Sequence, residues 1–223
     1  MRKFLTATLL CMALTVTMVP AAFAADTADS NYTMCMAAIQ EQKVIQDQAH
    51  QTAESLRQKG YDDSSAYIQA AQSTWWAAQD EIVAYQKLSQ YTDEDIRILT
   101  TAVFYEAGHT TEQLREYVAQ VVLNRVADSR FPDTVKGVIT QPGQYATKYA
   151  TQAATDSIKS ADSQNGTYYY AMCETAVKKA MMGQVDMPSN VLYQANFAQG
   201  KGVWQSVYFN SGWYASTSYF CYG

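Results

Sequence analysis

Apolar residues recur at helical spacing from the Tyr32 region to Gly183 and give way, after Pro188, to short β-prone runs. Two helices are predicted first, from about Tyr32 to Gln90, around a turn at Lys59-Gly60-Tyr61-Asp62-Asp63 with Asp63 or Ser64 as the second N-cap. The second carries Ile68, Ala71, Trp75, Ala78, Ile82 and Tyr85 at alternating spacings of three and four, a heptad seam. The first offers Cys35, Ala38, Ile45, Ala49 and Leu56, interrupted by Gln42 and Thr52, so an antiparallel hairpin is the simplest way to bury both stripes.

A third helix is predicted to open on Thr92, which forms a capping box with Asp95, and to stop at Gly108. Thr110-Thr111-Glu112-Gln113 reads as a second capping box, starting a helix that ends in Val118-Ala119-Gln120-Val121-Val122-Leu123-Asn124-Arg125-Val126. The run from Arg130 to Ile139 reads as a turn followed by a β-like stretch, and Gln141-Pro142-Gly143-Gln144-Tyr145 as a loop. Residues from Thr147 to Gly166 form a polar loop with room for a short helix, before a helix from about Thr167 to Met182 that Gly183 stops. Residues 190–197, 202–209 and 216–222 are β-prone and separated by glycine-containing turns. The fold class expected is α+β, mainly helical, with a small β region.

The first residues have a different character. Arg2-Lys3, the apolar run from Phe4 to Val19 and the small-residue site Ala22-Phe23-Ala24 make a signal peptide over residues 1–24. The apolar run is shorter than the roughly 20 residues a spanning helix needs, so no stable membrane insertion is expected after cleavage. Removing the leader leaves 14 basic and 21 acidic side chains, a net of −7, which argues against nucleic acid as a partner. Residues 26–90 hold 4 basic and 9 acidic side chains and residues 91–223 hold 10 and 12, an asymmetry that supports a helical hairpin module over 25–90 and a second domain over 91–223. The hairpin reads as a prop for that domain, and the same seam would serve a docking surface for a protein partner or self-association.

Glu106 is the residue that ordinary helix chemistry would not place where it is. It sits in the last turn of its helix, where the dipole opposes a carboxylate by roughly 0.3–1 kcal/mol, at the edge of the face formed by Ile96, Leu99, Val103 and Ala107. Partial shelter and an unfavourable dipole both raise a carboxyl pKa, as a general acid working near neutral pH requires. The bland alternative is a solvated Glu closing a surface helix.

The ordered blocks YEAG (105–108), VVLNRV (121–126), RFPDTVKGVI (130–139) and QPGQY (141–145) resemble the SleB and CwlJ type bacterial cell-wall hydrolases. The resemblance runs from about Ile96 to Tyr222. It implies a lysozyme-like fold, a substrate of alternating N-acetylglucosamine and N-acetylmuramic acid in peptidoglycan glycan strands, no cofactor and no metal, and a location outside the cell, at the wall or spore envelope. The acid of the first block, here Glu106, is implied to be catalytic, most simply as in a lytic transglycosylase; a muramidase using water, or a non-catalytic wall-binding protein, are the alternatives. The chain departs from the family pattern where Arg-Gly-Glu often follows Glu-Ala: here Gly108, His109 and Thr110 follow, so any role of that second Glu is absent or shifted to Glu112, and a muramidase would need a second carboxylate such as Glu112, Glu116 or Asp133 to orient its water. The aromatic of the QPGQY block is more often Phe, and no His precedes the final aromatics, where Thr217-Ser218-Tyr219-Phe220 stand.

Seventeen tyrosines, thirteen of them after residue 90, give the second domain many faces on which a sugar ring can stack. Tyr145 and Tyr193 are the substrate-binding candidates, because they adjoin Gln144 and Gln194, whose amides can read acetamido groups. Asn124 and Arg125 are assigned to buried structural hydrogen bonds. Two histidines, His50 and His109, fall short of a zinc hydrolase's ligand set, and the chain has no Gly-x-Ser-x-Gly elbow. Cys35, Cys173 and Cys221 remain in the mature chain, an odd number for an exported protein, and a Cys173–Cys221 bridge would tie the last helix to the last strand.

Overall fold

A computed structural model describes residues 30–160, 164–210 and 214–223; the leader lies outside the described residues. Helix α1 (Ser30–Gln58) and helix α2 (Ala66–Leu88) pack antiparallel along their length. Ile39, Ala49 and Ala53 of α1 meet Ile68, Ala71, Ala78 and Ile82 of α2 as the buried stripe, while Trp75 lies half-exposed at its margin. Gln46 bridges the helices, donating from Nε2 to Gln79 Oε1 at 2.9 Å. The second N-cap is Ser65, one residue later than expected, because Asp62 takes the Ser64 backbone N–H and hydroxyl and leaves Ser65 to accept from Ile68 N–H.

The foot of the hairpin is bonded to the next helix, α3 (Asp93–Ala107). The Asp93 carboxylate accepts from Ser30 N–H and Oγ and from Asn31 N–H, and the Asn31 side chain donates to the carbonyls of Leu88 and Tyr91. Cys35 and Leu88 extend the main core to the hairpin.

Helix α3 opens with the expected capping box, Thr92 Oγ accepting from Asp95 N–H and Asp95 accepting from Thr92 N–H. Ile98, Leu99, Ala102 and Val103 are fully buried, and α3 lies against α4 (Glu112–Ala127), α5 (Val135–Thr140) and α7 (Gln164–Met181). Only Thr111 caps α4, accepting from Leu114 N–H, since the third helical position is Leu114 and cannot reach back; Thr110 instead donates to Ala107 O and closes the end of α3.

Residues 135–140 are helical where a β-like run was expected. Thr134 accepts from Gly137 N–H as N-cap, and the six-residue helix buries Val135, Val138 and Ile139 together. Burial at spacings of three and four overrides the β preference of Val and Ile. Within the polar stretch, a 3₁₀ turn (Thr147–Ala150) and α6 (Gln152–Lys159, capped by Thr151) form.

Strands β1 (Val191–Ala195), β2 (Val203–Asn210) and β3 (Ala215–Tyr222) make one antiparallel sheet in the order β1-β3-β2. Gly200, at φ +61°, turns the chain back toward β2 where an added Cβ would strike the Tyr222 carbonyl oxygen. Sheet and helices share one core, with Val191, Val207 and Phe220 joining the residues of α3, α4 and α7. The architecture is thus mainly helical α+β, as expected. The Cys173–Cys221 bridge is not formed: Cys173 is buried on α7, and Cys221 Sγ accepts from Gln199 N–H at 3.5 Å.

Candidate active site

Glu106 stands in the last turn of α3, a turn without a basic residue. Its side chain opens into a cleft of about 330 Å³ lined by Phe104, Tyr105, His109, Thr110, Phe209 and Tyr214. The helix supplies the acid, the Gly108-His109 connection supplies one edge, and the β2–β3 hairpin supplies Phe209 and Tyr214 opposite. The carboxyl is open to solvent on the cleft side, yet protein packed around it removes enough water to raise its pKa above that of a free Glu, against a hydrogen bond to Tyr149 that lowers it. Among the described residues lining this cleft, Glu106 is the sole carboxylate.

Aromatic side chains surround the acid. Tyr149 projects from the 3₁₀ turn, and its ring stacks on Tyr105 with centroids 4.7 Å apart and planes 6° from parallel. Lys148 Nζ lies 5.3 Å over the Tyr105 ring. His109 meets Tyr169 of α7 edge-on at 4.3 Å and Phe104 at 5.7 Å.

Behind the cleft, Arg125 organises a second group. Its guanidinium lies 5.3 Å from the centroid of Phe131, 5.6 Å from Tyr145 and 5.7 Å from Tyr193, while Nε donates to Leu192 O at 2.7 Å. Asn124 beside it donates to the carbonyls of Pro188 and Val191 at 2.9 and 3.0 Å. The Asn-Arg pair therefore pins β1 to α4, the buried structural role expected of it. Burial drives the Tyr145 phenol up to about 12, with Arg125 opposing and the charge of Glu106 adding to the rise. Tyr145 is thus electrostatically in range of the acid.

Of the residues singled out in the sequence, Glu106 lies in the cleft, and Tyr145 and Tyr193 come together around Arg125. Gln194 is half-buried on β1, opposite Phe220, and Gln144 is exposed on its loop; neither lines the cleft. Glu112 and Glu116, the candidates for a second acid, are both held by Lys179 of α7, Glu116 at 2.9 Å, and that pairing lowers the Glu112 carboxyl pKa. Asp133 is exposed on the loop before α5. The reading from sequence missed Tyr105, Tyr149, Phe209 and Tyr214. A signal existed for Tyr105, adjacent to Glu106, but nothing in the sequence places Phe209 and Tyr214 at the cleft or brings Tyr149 onto Tyr105.

Residues 111–217, which take in α4 to α7 and most of the sheet, match the profile of a family described as Cell Wall Hydrolase. This segment is similar to the SleB/CwlJ-type cell wall hydrolases. Among curated proteins, it is similar to a spore cortex-lytic enzyme of Halalkalibacterium halodurans, 34% identical over 44% of this chain and 34% of the relative. A spore cortex-lytic enzyme of Bacillus cereus is 35% identical over 40% and 39% of the two chains, and that of Bacillus subtilis 28% identical over 48% and 39%. The chain thus spans little more than a third of the length of these relatives. No solved structure matches. The cell wall hydrolase match begins five residues after Glu106, so the acid lies on the helix that leads into the matched segment.

Proposed function

We propose that the protein is a secreted peptidoglycan-degrading enzyme that cleaves the β-1,4 bond between N-acetylmuramic acid and N-acetylglucosamine, with Glu106 as general acid and then base. The observation that carries this reading is a carboxyl of raised pKa in an open, aromatic-lined cleft without a second carboxylate among the described lining residues. The match of residues 111–217 to a cell wall hydrolase profile and the similarity to spore cortex-lytic enzymes support the substrate class. No described helix is long and apolar enough to cross a membrane.

In the proposed reaction, protonated Glu106 gives its proton to the glycosidic oxygen that leaves with N-acetylglucosamine. The C1–O bond breaks, and the substrate's acetamido oxygen supports the developing positive charge at C1. Ionised Glu106 then takes the proton of the muramic C6 hydroxyl as that oxygen bonds to C1. The acid is restored, a 1,6-anhydro end is formed, and no water is consumed. One carboxyl serves both steps, whereas a muramidase that activates water calls for a second carboxylate across the bond, and here Glu112 and Glu116 are engaged by Lys179. Tyr145, Tyr193, Gln144 and Gln194 are assigned to the glycan strand on either side.

Mass spectrometry of muropeptides released from purified peptidoglycan tests the proposal. Wild-type protein is expected to yield anhydro-muramic ends, and Glu106→Gln to lose at least about 10²-fold in rate. Reducing muramic ends would make the enzyme a muramidase, and intact strands with both proteins would overturn the enzymatic reading in favour of a wall-binding protein.

A further inference from the structure

We propose that His109, Tyr169 and Tyr168 form a further carbohydrate subsite, an aromatic ledge that carries a glycan strand out of the Glu106 cleft and onto α7. This rests on the reading of the substrate as a glycan strand, and adds where its next sugars lie.

The ledge begins inside the cleft, where His109 is part of the lining beside Glu106. From there the rings step outward. His109 meets Tyr169 with centroids 4.3 Å apart and planes at 66°, and Tyr169 meets Tyr168 at 5.3 Å and 72°. Phe104, packed against the core, backs His109 at 5.7 Å. The two tyrosines stand in the first turns of α7, a helix fixed in place by its buried residues Tyr170, Cys173, Ala176 and Val177. A ledge on a helix seated this way is held in one geometry before any ligand arrives.

Packing gives no reason for these rings to be where they are. His109 is exposed, Tyr169 is half-buried and Tyr168 is 61% exposed, and among the described residues none of the three is part of the core or of the side chains packed on it. In an edge-on pair, the ring that supplies the edge keeps both its faces unstacked by its partner. Tyr105, by contrast, is stacked on Tyr149 with Lys148 over its ring. A tyrosine offers an apolar face to a sugar ring and a hydroxyl to its polar rim, and the steps along the ledge are comparable to one sugar unit of a β-1,4 strand.

The size and charge of the ledge select this occupant. A protein partner needs about 800 Å² on each side, whereas one aromatic side chain buries about 150–250 Å² when fully covered, so three partly covered rings suit one or two sugars. The three residues include neither Lys nor Arg, so the carboxylates of peptide stems gain little there. Continuity through His109 makes the strand in the cleft the strand on the ledge.

Calorimetric titration of full-length Glu106→Gln with peptide-free strands of four and of eight alternating N-acetylglucosamine and N-acetylmuramic acid units tests the ledge. Affinity is expected to rise about tenfold from the shorter strand to the longer. Adding Tyr168→Ala should cut that gain to about twofold, Tyr168→Phe should keep most of it, and Tyr208→Ala, which removes an equally exposed tyrosine of β2, should keep it whole. The gain is a ratio of two affinities read on one protein, so partial loss of folded material cancels. A gain that survives Tyr168→Ala, or a parent that binds both strands equally or neither, overturns the ledge, and cleavage by the wild type would then stand without it. Length-dependent binding through Tyr168 in a protein whose wild type leaves strands intact sustains the ledge and overturns the enzymatic reading instead.

Discussion

Glu106 and Arg125 are neighbours in the same structure with opposite relations to water. Glu106 is left open on one side, whereas Arg125 is 4% exposed and spends its charge on three aromatic faces and a strand carbonyl. Replacing Arg125 by Met should leave the Leu192 carbonyl without its donor and the rings of Phe131, Tyr145 and Tyr193 without their cation, costing about 2–4 kcal/mol. Urea unfolding measures this; an unchanged midpoint would mean that the cage carries no stability. At this scale the sequence was informative about the acid, because a Glu in a last turn beside an apolar face goes against helix electrostatics. It was also right to give Asn124 and Arg125 structural work. Tyr149 is not legible because its stacking partner, Tyr105, lies more than 40 positions earlier.

Among the elements, those with a cap and a clear period were readable and those governed by packing were not. The capping box at Thr92 and the hairpin of α1 and α2 follow from local rules. Helix α5 does not: Val135, Val138 and Ile139 read as β-prone until the space between α3 and α4 fixes them on one buried face. Its stability therefore leans on its cap. Thr134→Ala, removing the acceptor for Gly137 N–H, is expected to cost about 1 kcal/mol, seen as a Tm lower by roughly 2–4 °C in a chain of this size; a Tm within error of wild type would show that burial alone sustains the turn. The loop carrying Gln144 and Tyr145 follows α5 directly, so loss of the cap should also quicken amide exchange there.

At the scale of the molecule, the hairpin and the remaining helices share a foot. Asp93 receives three hydrogen bonds from the first turn of α1, and Asn31 reaches the carbonyls of Leu88 and Tyr91. Asp93→Ala should free that turn at a cost of about 1–3 kcal/mol, with faster hydrogen exchange in the first turn of α1 and unchanged protection in the middle of α3. Uniform protection in the variant would show that Cys35 and Leu88, buried in the common core, hold the hairpin without the latch. The sequence by itself determined the helical hairpin, the helices flanking Gly108, the three β-prone runs and the singular acid, because caps, periodicity and dipoles act within a few residues of one another. Only the tertiary structure decided the helical state of residues 135–140, the separation of Cys173 from Cys221, the engagement of Glu112 and Glu116 by Lys179, and the meeting of Phe209 and Tyr214 with Glu106 at the cleft. Each of these depends on which distant surfaces share a core, and burial is a property of the assembled chain that no short stretch of it carries.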